Sequence, residues 1–325
     1  MFYALVCVSM THDPPLHPRC PPVSARRFLV KRTAWLVLGV LAVVTLTFLF
    51  VALTPDPQKA YLRFTGGQAA VNVYEAAHNQ NVPLLQRYVD WLGRILTLDL
   101  GRSVTNDRPV TALLVDSLAT TALYVIPGIL VATVLGLASG TLAGLKKGTW
   151  VDEGVTGFAY VGLGVPHFYI AGMLYIYVAD FRFGAPPWQR FVAASGVLVV
   201  TLLAAQTRYT RAEIREFAGT DFIKLVKAKG ASPLRIARHL LRNAALPLLT
   251  LFVAELLSVL VITSVVVEKA FRISGIGSLA FLAMKQRDMP VIIGVVLVVS
   301  VIGIVGTFLQ DVLYTVLDPR LDFRD

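Results

Sequence analysis

"TAWLVLGVLAVVTLTFLFVAL", residues 33–53, runs for 21 residues without a single charge. As a helix rising about 1.5 Å per residue it reaches roughly 31 Å, enough to cross a hydrocarbon core of about 30 Å. Arg26, Arg27, Lys31 and Arg32 crowd its start, and Pro55 and Pro57 follow its end. Five further stretches share this character. Residues 118–145 and 191–207 are uncharged, and 154–179 holds only His167 as a titratable group. Residues 244–267 are apolar except for Glu255, and 289–317 except for Asp311. The reading is an all-α integral membrane protein with six transmembrane helices.

Composition agrees. Of 325 residues, 56% are hydrophobic and only 15% charged, with a mean hydropathy of +0.67; such values are rare in soluble domains. A net charge of +10 is compatible with nucleic-acid binding in general, but Lys and Arg sit beside apolar runs instead of forming a soluble basic face. That arrangement encodes membrane topology. With the N-terminus inside, the segments 1–32, 145–153, 207–247 and 318–325 are cytoplasmic and hold 18 of the 30 Lys and Arg. N-in, C-in is therefore the expected orientation, in the plasma membrane.

Residues 26–325 read as one transmembrane domain, with an outer loop over 54–117 and a cytoplasmic loop over 207–247. Within the outer loop, "PLLQRYVDWLGRIL" (83–96) has apolar residues at helical spacing, so short helices are expected on the outer face. Residues 1–25 form a tail, disordered or the product of a misassigned start. Its "HDPPLHPRCPP" (12–22) cannot be helical, and the apolar stretch before it lacks the basic flank and cleavage site of a secretory signal. Cys7 and Cys20, the only two cysteines, make neither a disulfide framework nor a metal site. No cofactor is expected.

"KAKGASPLRIARHLLRNAALP" (227–247) poses a different question. Residues 207–247 carry nine Lys and Arg, and burying them at about 3 kcal/mol each would cost roughly 25 kcal/mol. This segment lies outside the hydrocarbon. Gly230 suits the left-handed residue that closes a helix. Ser232 suits an N-cap and Pro233 the first helical position. Wound at 100° per residue, Ile236, Ala237, Leu240, Leu241 and Ala244 share one face, while Arg235, Arg238, His239, Arg242 and Asn243 share the other. Pro247 stops or redirects the helix. Such a basic amphipathic helix either lies on anionic headgroups or docks its polar face in a partner's groove.

The stretch "AKGASPLRIARHLLRNAALP" resembles the cytoplasmic loop of ABC transporter permeases, closest to the dipeptide, oligopeptide and nickel importers. "VVVEKAFRISGIGSLAFLAMKQRDMPVIIGVVLV" (265–298) resembles their outer loop and last helix, with an acidic residue before Phe, a Gly-x-Gly and an Arg-Asp-x-Pro. "DVLYTVLDPRLD" (311–322) resembles their C-terminal signature. "TPDPQ", "QRYVDWLGRILTLDLGRSV" and "RPVTALLVDSLATTALYV" are similar to the N-terminal half. The likeness runs from about Arg26 to the end. Ser274 stands where such permeases usually carry Pro, and 181–206 lacks their Leu-Pro pair.

The resemblance implies the type I importer permease fold, a second permease subunit, two cytosolic ATP-binding subunits and an extracytoplasmic solute-binding protein. It implies that residues 230–247 couple to the ATPase through Gly230, Ser232, Arg235, Arg238, His239, Arg242, Asn243 and Pro247. This chain has no G-x-x-x-x-G-K-[ST] phosphate loop, so it is expected to be a non-catalytic subunit whose motor is another chain. Di- or oligopeptides are the expected solutes, with nickel chelates, glutathione or sugars as alternatives.

Other residues admit two readings. Glu255, alone in mid-span, either lines the translocation path or is hydrogen-bonded between helices. His167, after Pro166 in "GLGVPHFY" (162–169), is either a packed residue at a kink or part of the path. A naked metal solute would call for several His or Cys in the spans. Asp318-Pro319-Arg320 reads as a helix terminator and basic anchor. Gly136, Gly140 and Gly144 form a small-xxx-small row suited to close helix packing. An intramembrane protease is disfavoured by the lack of H-E-x-x-H and G-x-S-x-G. A channel or motorless secondary transporter would call for more ionisable groups in the spans and no basic docking helix.

Overall fold

A computed structural model of the chain describes residues 25–53, 57–77, 82–177 and 186–317, whose regular structure is helical throughout. Cys7, Cys20, residues 1–24 of the tail and Asp318-Pro319-Arg320 lie outside them. The helices are α1 (Ala25–Leu53), α2 (Pro57–Ala77), α3 (Leu84–Leu96), α4 (Val110–Leu145), α5 (Trp150–Gly164), α6 (His167–Tyr177) and α7 (Pro187–Ala218). There follow α8 (Asp221–Ala228), α9 (Pro233–Asn243), α10 (Ala245–Ser258), a π-helical turn (Val259–Thr263), α11 (Ser264–Phe271), α12 (Ile276–Gln286) and α13 (Met289–Leu317). Four helices are long and apolar enough to cross a membrane, or up to six segments if two bent helix pairs each count as one.

The most extensive helix contact joins α4 to α7, and its cause is legible in the glycines. A Cβ at Gly136 would stand 2.4 Å from Gln206 Cβ, at Gly140 2.6 Å from Thr210 Cβ, and at Gly144 2.6 Å from Ile214 Cγ2. Each pair has the same sequence offset, so α4 and α7 run parallel with their backbones in close approach. The small-residue row is a packing seam, as its spacing implied. Around it lie Tyr124, Val125, Ile129 and Ala132 of α4, Val197 and Leu198 of α7, and Val259, Val267 and Phe271 further along the chain.

Register elsewhere sets direction. Arg32 pairs with Asp311 at 2.8 Å and the Gly39 position faces Ile304, so α1 and α13 are antiparallel. Gln310 donates to Thr250 at 3.1 Å, and the Gly306 and Gly303 positions face Val253 and Leu257, so α10 opposes α13. Asp152 meets Arg211 and Gly162 faces Ala204, so α5 opposes α7. The start of α1, the 145–150 turn, the segment between α7 and α10 and the end of α13 consequently share one end of the bundle. Many large apolar side chains remain exposed on α1 and α4, among them Leu46, Phe50, Val115 and Val134. In a bilayer they contact lipid, which costs nothing.

Several expected boundaries change. The apolar run 154–179 is not one straight helix: α5 and α6 meet at an 81° bend, because Pro166 cannot continue the hydrogen-bond ladder. Helix α7 does not stop with its uncharged run at Thr207 but continues to Ala218, so the first third of the 207–247 segment is helix. Residues 110–117, expected in the loop, are the first turns of α4. The run 244–267 passes through a π-helical turn and ends at Phe271.

Candidate functional site

At the shared end, α7, α8 and α9 build a compact module. Helix α8 closes on Gly230, whose φ of +72° is the left-handed conformation that glycine tolerates best. Gly230 N–H donates to Lys227 O at 2.9 Å and Ala231 N–H to Val226 O at 3.4 Å, the paired bonds of a Schellman closure. Ser232 then caps α9, its Oγ accepting from Arg235 N at 3.4 Å, with Pro233 at the first helical position. Ile236 and Leu240 are buried against Ile214 and Ile223, with Leu145 and Phe217 beside them. A helix of 11 residues is unstable alone, and this small core holds it.

The opposite face is free. Arg235, Arg238, Arg242 and Asn243 are exposed, and the three arginines pair with no carboxylate among the described residues. His239 is half-buried, its ring edge-on to Phe222 at 5.8 Å. The structure thus brings Gly230, Ser232, Arg235, Arg238, His239, Arg242 and Asn243 into one module. Pro247 lies just past the redirection expected of it: the helix ends at Asn243, whose carbonyl Pro247 has no N–H to bond, and the segments on either side meet at 64°. The helix axis turns at Ala244, which ends α9 and begins α10, and Pro247 sits inside the first turn of α10, where a missing N–H goes unmissed.

A neighbouring ion cluster escaped the sequence reading. Asp152, 3% exposed, accepts from Arg211 Nε at 2.6 Å, from the Arg215 guanidinium and from Gly148 N–H at 3.0 Å. Three elements meet there: the turn after α4, the first turn of α5 and the end of α7. The only sequence signal was the i,i+4 spacing of Arg211 and Arg215, which places two cations on one helix face.

In mid-bundle, Gln206 Nε2 donates to Glu255 Oε2, joining α7 to α10. Gln206 lies there because Gly136 leaves it room. The second oxygen, Glu255 Oε1, is buried without a partner among the described residues, and the π-helical turn begins four residues on. His167 opens α6 just past the bend, half-buried, with its ring edge-on to Phe168 at 6.3 Å. Glu255 and His167 have different partners and form no joint cluster, and no three His, Cys, Asp or Glu among the described residues could hold a metal ion.

At the far end of the bundle, two fully enclosed carboxylates organise turns. Glu268 accepts from Thr121 Oγ1 at 2.7 Å, Tyr124 OH at 3.0 Å and Ser278 N at 2.7 Å. A Cβ at Gly275 would stand 2.2 Å from its Oε1, so the first glycine of the Gly-x-Gly is a space requirement. Asp288 accepts from Ser103 Oγ at 2.5 Å and from the N–H groups of Val104 and Thr105 at 3.3 and 3.2 Å. Burying a carboxylate is tolerable only with such bonds. Ser274 is exposed beside this turn.

A family model of binding-protein-dependent transport system inner membrane components matches residues 132–323. The dipeptide transport system permease protein DppB of Bacillus subtilis is 32% identical over 305 residues, covering 91% of this chain and 97% of that protein. The oligopeptide transport system permease protein AppB of the same organism is 28% identical over 315 residues, covering 91% and 99%. The glutathione transport system permease protein GsiC of Escherichia coli K12 is 29% identical over 308 residues, again covering 91% and 99%.

Proposed function

This chain belongs to the family of binding-protein-dependent transport system inner membrane components, and from that premise we propose that it couples peptide import to a separate ATPase through α9. It is a permease subunit of an ABC importer, a multi-pass membrane protein whose relatives serve transport systems. The observation that carries the coupling role is the free basic face of α9 on a module packed directly onto the end of α7. Helix α7 is locked to α4 along the glycine seam, so a push on α9 moves two membrane helices as a unit. In this reading two cytosolic ATP-binding subunits dock on the Arg235, Arg238, His239, Arg242 and Asn243 face and hydrolyse ATP. A second permease subunit completes the path, and an extracytoplasmic binding protein delivers the solute. Co-purification tests it: with the α9 arginines reversed, the ATPase subunits should no longer travel with the permease.

Six crossings follow if 245–271 spans as α10, the π-helical turn and α11, since α9 with three arginines cannot. The Arg32–Asp311 pair supports placing both ends of the chain on one side, and the basic residues place that side in the cytosol. Thr149→Cys should then react only with reagent supplied from the cytosol, and Thr65→Cys only with reagent supplied outside. External labelling of the Thr149→Cys variant overturns this topology.

Dipeptide and oligopeptide systems among the relatives support a peptide as solute, and Glu255 suits its protonated amino group. Glu255 Oε1, without a partner among the described residues, is an acceptor awaiting a donor. Glu255→Gln should leave the assembled complex intact while lowering uptake of peptides with a free amino terminus more than that of N-acetylated ones. Equal uptake of both, unchanged from the parent, assigns Glu255 to the α7–α10 contact alone.

A further inference from the structure

Helix α3 has three faces, and coupling and translocation use none of them. Tyr88, Trp91 and Ile95 share the first, which rests on α1: the Tyr88 hydroxyl bonds Thr45 Oγ1 at 2.8 Å, and the Phe48 ring meets Tyr88 at 5.3 Å and Trp91 at 6.1 Å. Gln86, Asp90 and Arg94 occupy the second, and all three are exposed. Between these lies a stripe of Leu85, Val89, Leu92 and Leu96 at helical spacing. Leu85 is 75%, Val89 60% and Leu96 76% exposed. Leu92 is half-buried, and the other three stand clear of the described residues.

We propose that α3 is an interfacial membrane helix, seated at the level where α1 leaves the hydrocarbon, with this stripe in lipid acyl chains. Depth supports it. The contacts on α1 fall at Thr45 and Phe48, five to eight residues before the helix end at Leu53, or about 8–12 Å along the axis. Interfacial helices bury their apolar face about 5–10 Å into the boundary between headgroups and chains. Continuity supports it as well, because α1 exposes Leu46, Leu49, Phe50 and Leu53 over the same length.

The chemistry of the stripe points away from a protein occupant. It is aliphatic throughout, whereas protein interfaces are anchored by Tyr, Trp and Arg. The two aromatics of α3 are already engaged with α1. An unstructured apolar phase asks only for hydrocarbon, which is what the stripe offers. The helix expected on the outer face of the 54–117 loop is thereby placed against the flank of α1, where it would widen the footprint of the subunit in one leaflet.

Site-directed spin labelling in liposomes tests the placement, using the permease with its co-purifying subunits and with Cys7 and Cys20 replaced by serine. Nitroxides at Leu85→Cys, Val89→Cys and Leu96→Cys should collide with oxygen, which concentrates in lipid, several-fold more than with a water-soluble nickel chelate, relative to labels at Gln86→Cys and Asp90→Cys. All five positions are exposed, so folding should survive each change. Equal ratios at stripe and polar positions would show α3 in water and overturn the proposal. Stripe labels shielded from both reagents would overturn it differently, by showing a protein over the stripe.

Discussion

A permease carrying Arg238→Glu and Arg242→Glu should reach the membrane in normal amount and be purified without its ATPase subunits. Both side chains are exposed and bind no carboxylate among the described residues, so the substitutions remove nothing that holds the fold. What changes is the field that α9 presents. Like charges brought together across an interface cost several kcal/mol, and about 3 kcal/mol already weakens association roughly a hundredfold. Glu in the last turn of a helix is also mildly unfavourable, by about 0.3–1 kcal/mol; an Arg242→Gln control separates that effect from repulsion. Where subunits are retained, solute-stimulated ATP hydrolysis should still fall. A helix that served only to hold anionic headgroups gives a different result, with weaker lipid binding and full recovery of the ATPase. That outcome would sink the coupling role of α9.

The other large effect is expected at Asp152. Asp152→Leu leaves Arg211 and Arg215 facing one another without their shared counter-ion. Breaking one partner of a buried pair costs about 3–5 kcal/mol. The arginine side chains here retain 23% and 26% exposure, so the lower part of that range applies after solvent screening. Thermal unfolding of the purified permease should begin at clearly lower temperature, with Asp152→Asn intermediate, since an amide oxygen can still accept one hydrogen bond. Restoring stability by Arg215→Leu in the Asp152→Leu background would identify the uncompensated charge as the cause. An unchanged unfolding profile for Asp152→Leu would mean that water already satisfies both guanidinium groups.

Glu268 and Asp288 illustrate where reading the chain reached its limit. Both stood in motifs that mark the family, yet their work was invisible until the fold placed Thr121, Tyr124 and Ser103 around them. Pro247 shows the reverse case, because its effect is local. Without an N–H it cannot bond the carbonyl of Asn243, and α9 ends at that residue.

Sequence alone determined the class of molecule, the segments apolar enough to cross a membrane, the two faces of α9, its Ser232 cap and the Gly230 closure before it. These depend on local quantities: transfer free energy summed over about 20 residues, a repeat of 3.6, and the backbone freedom of one glycine. Tertiary structure decided the rest. It bent 154–177 at Pro166, ran α4 parallel to α7, joined Gln206 to Glu255 and set Asp152 between two arginines. The physical reason is distance along the chain. A carboxylate at 152 looks like any solvated loop charge until a guanidinium 59 residues away is brought to it, and with it the dry surroundings that make the pair matter.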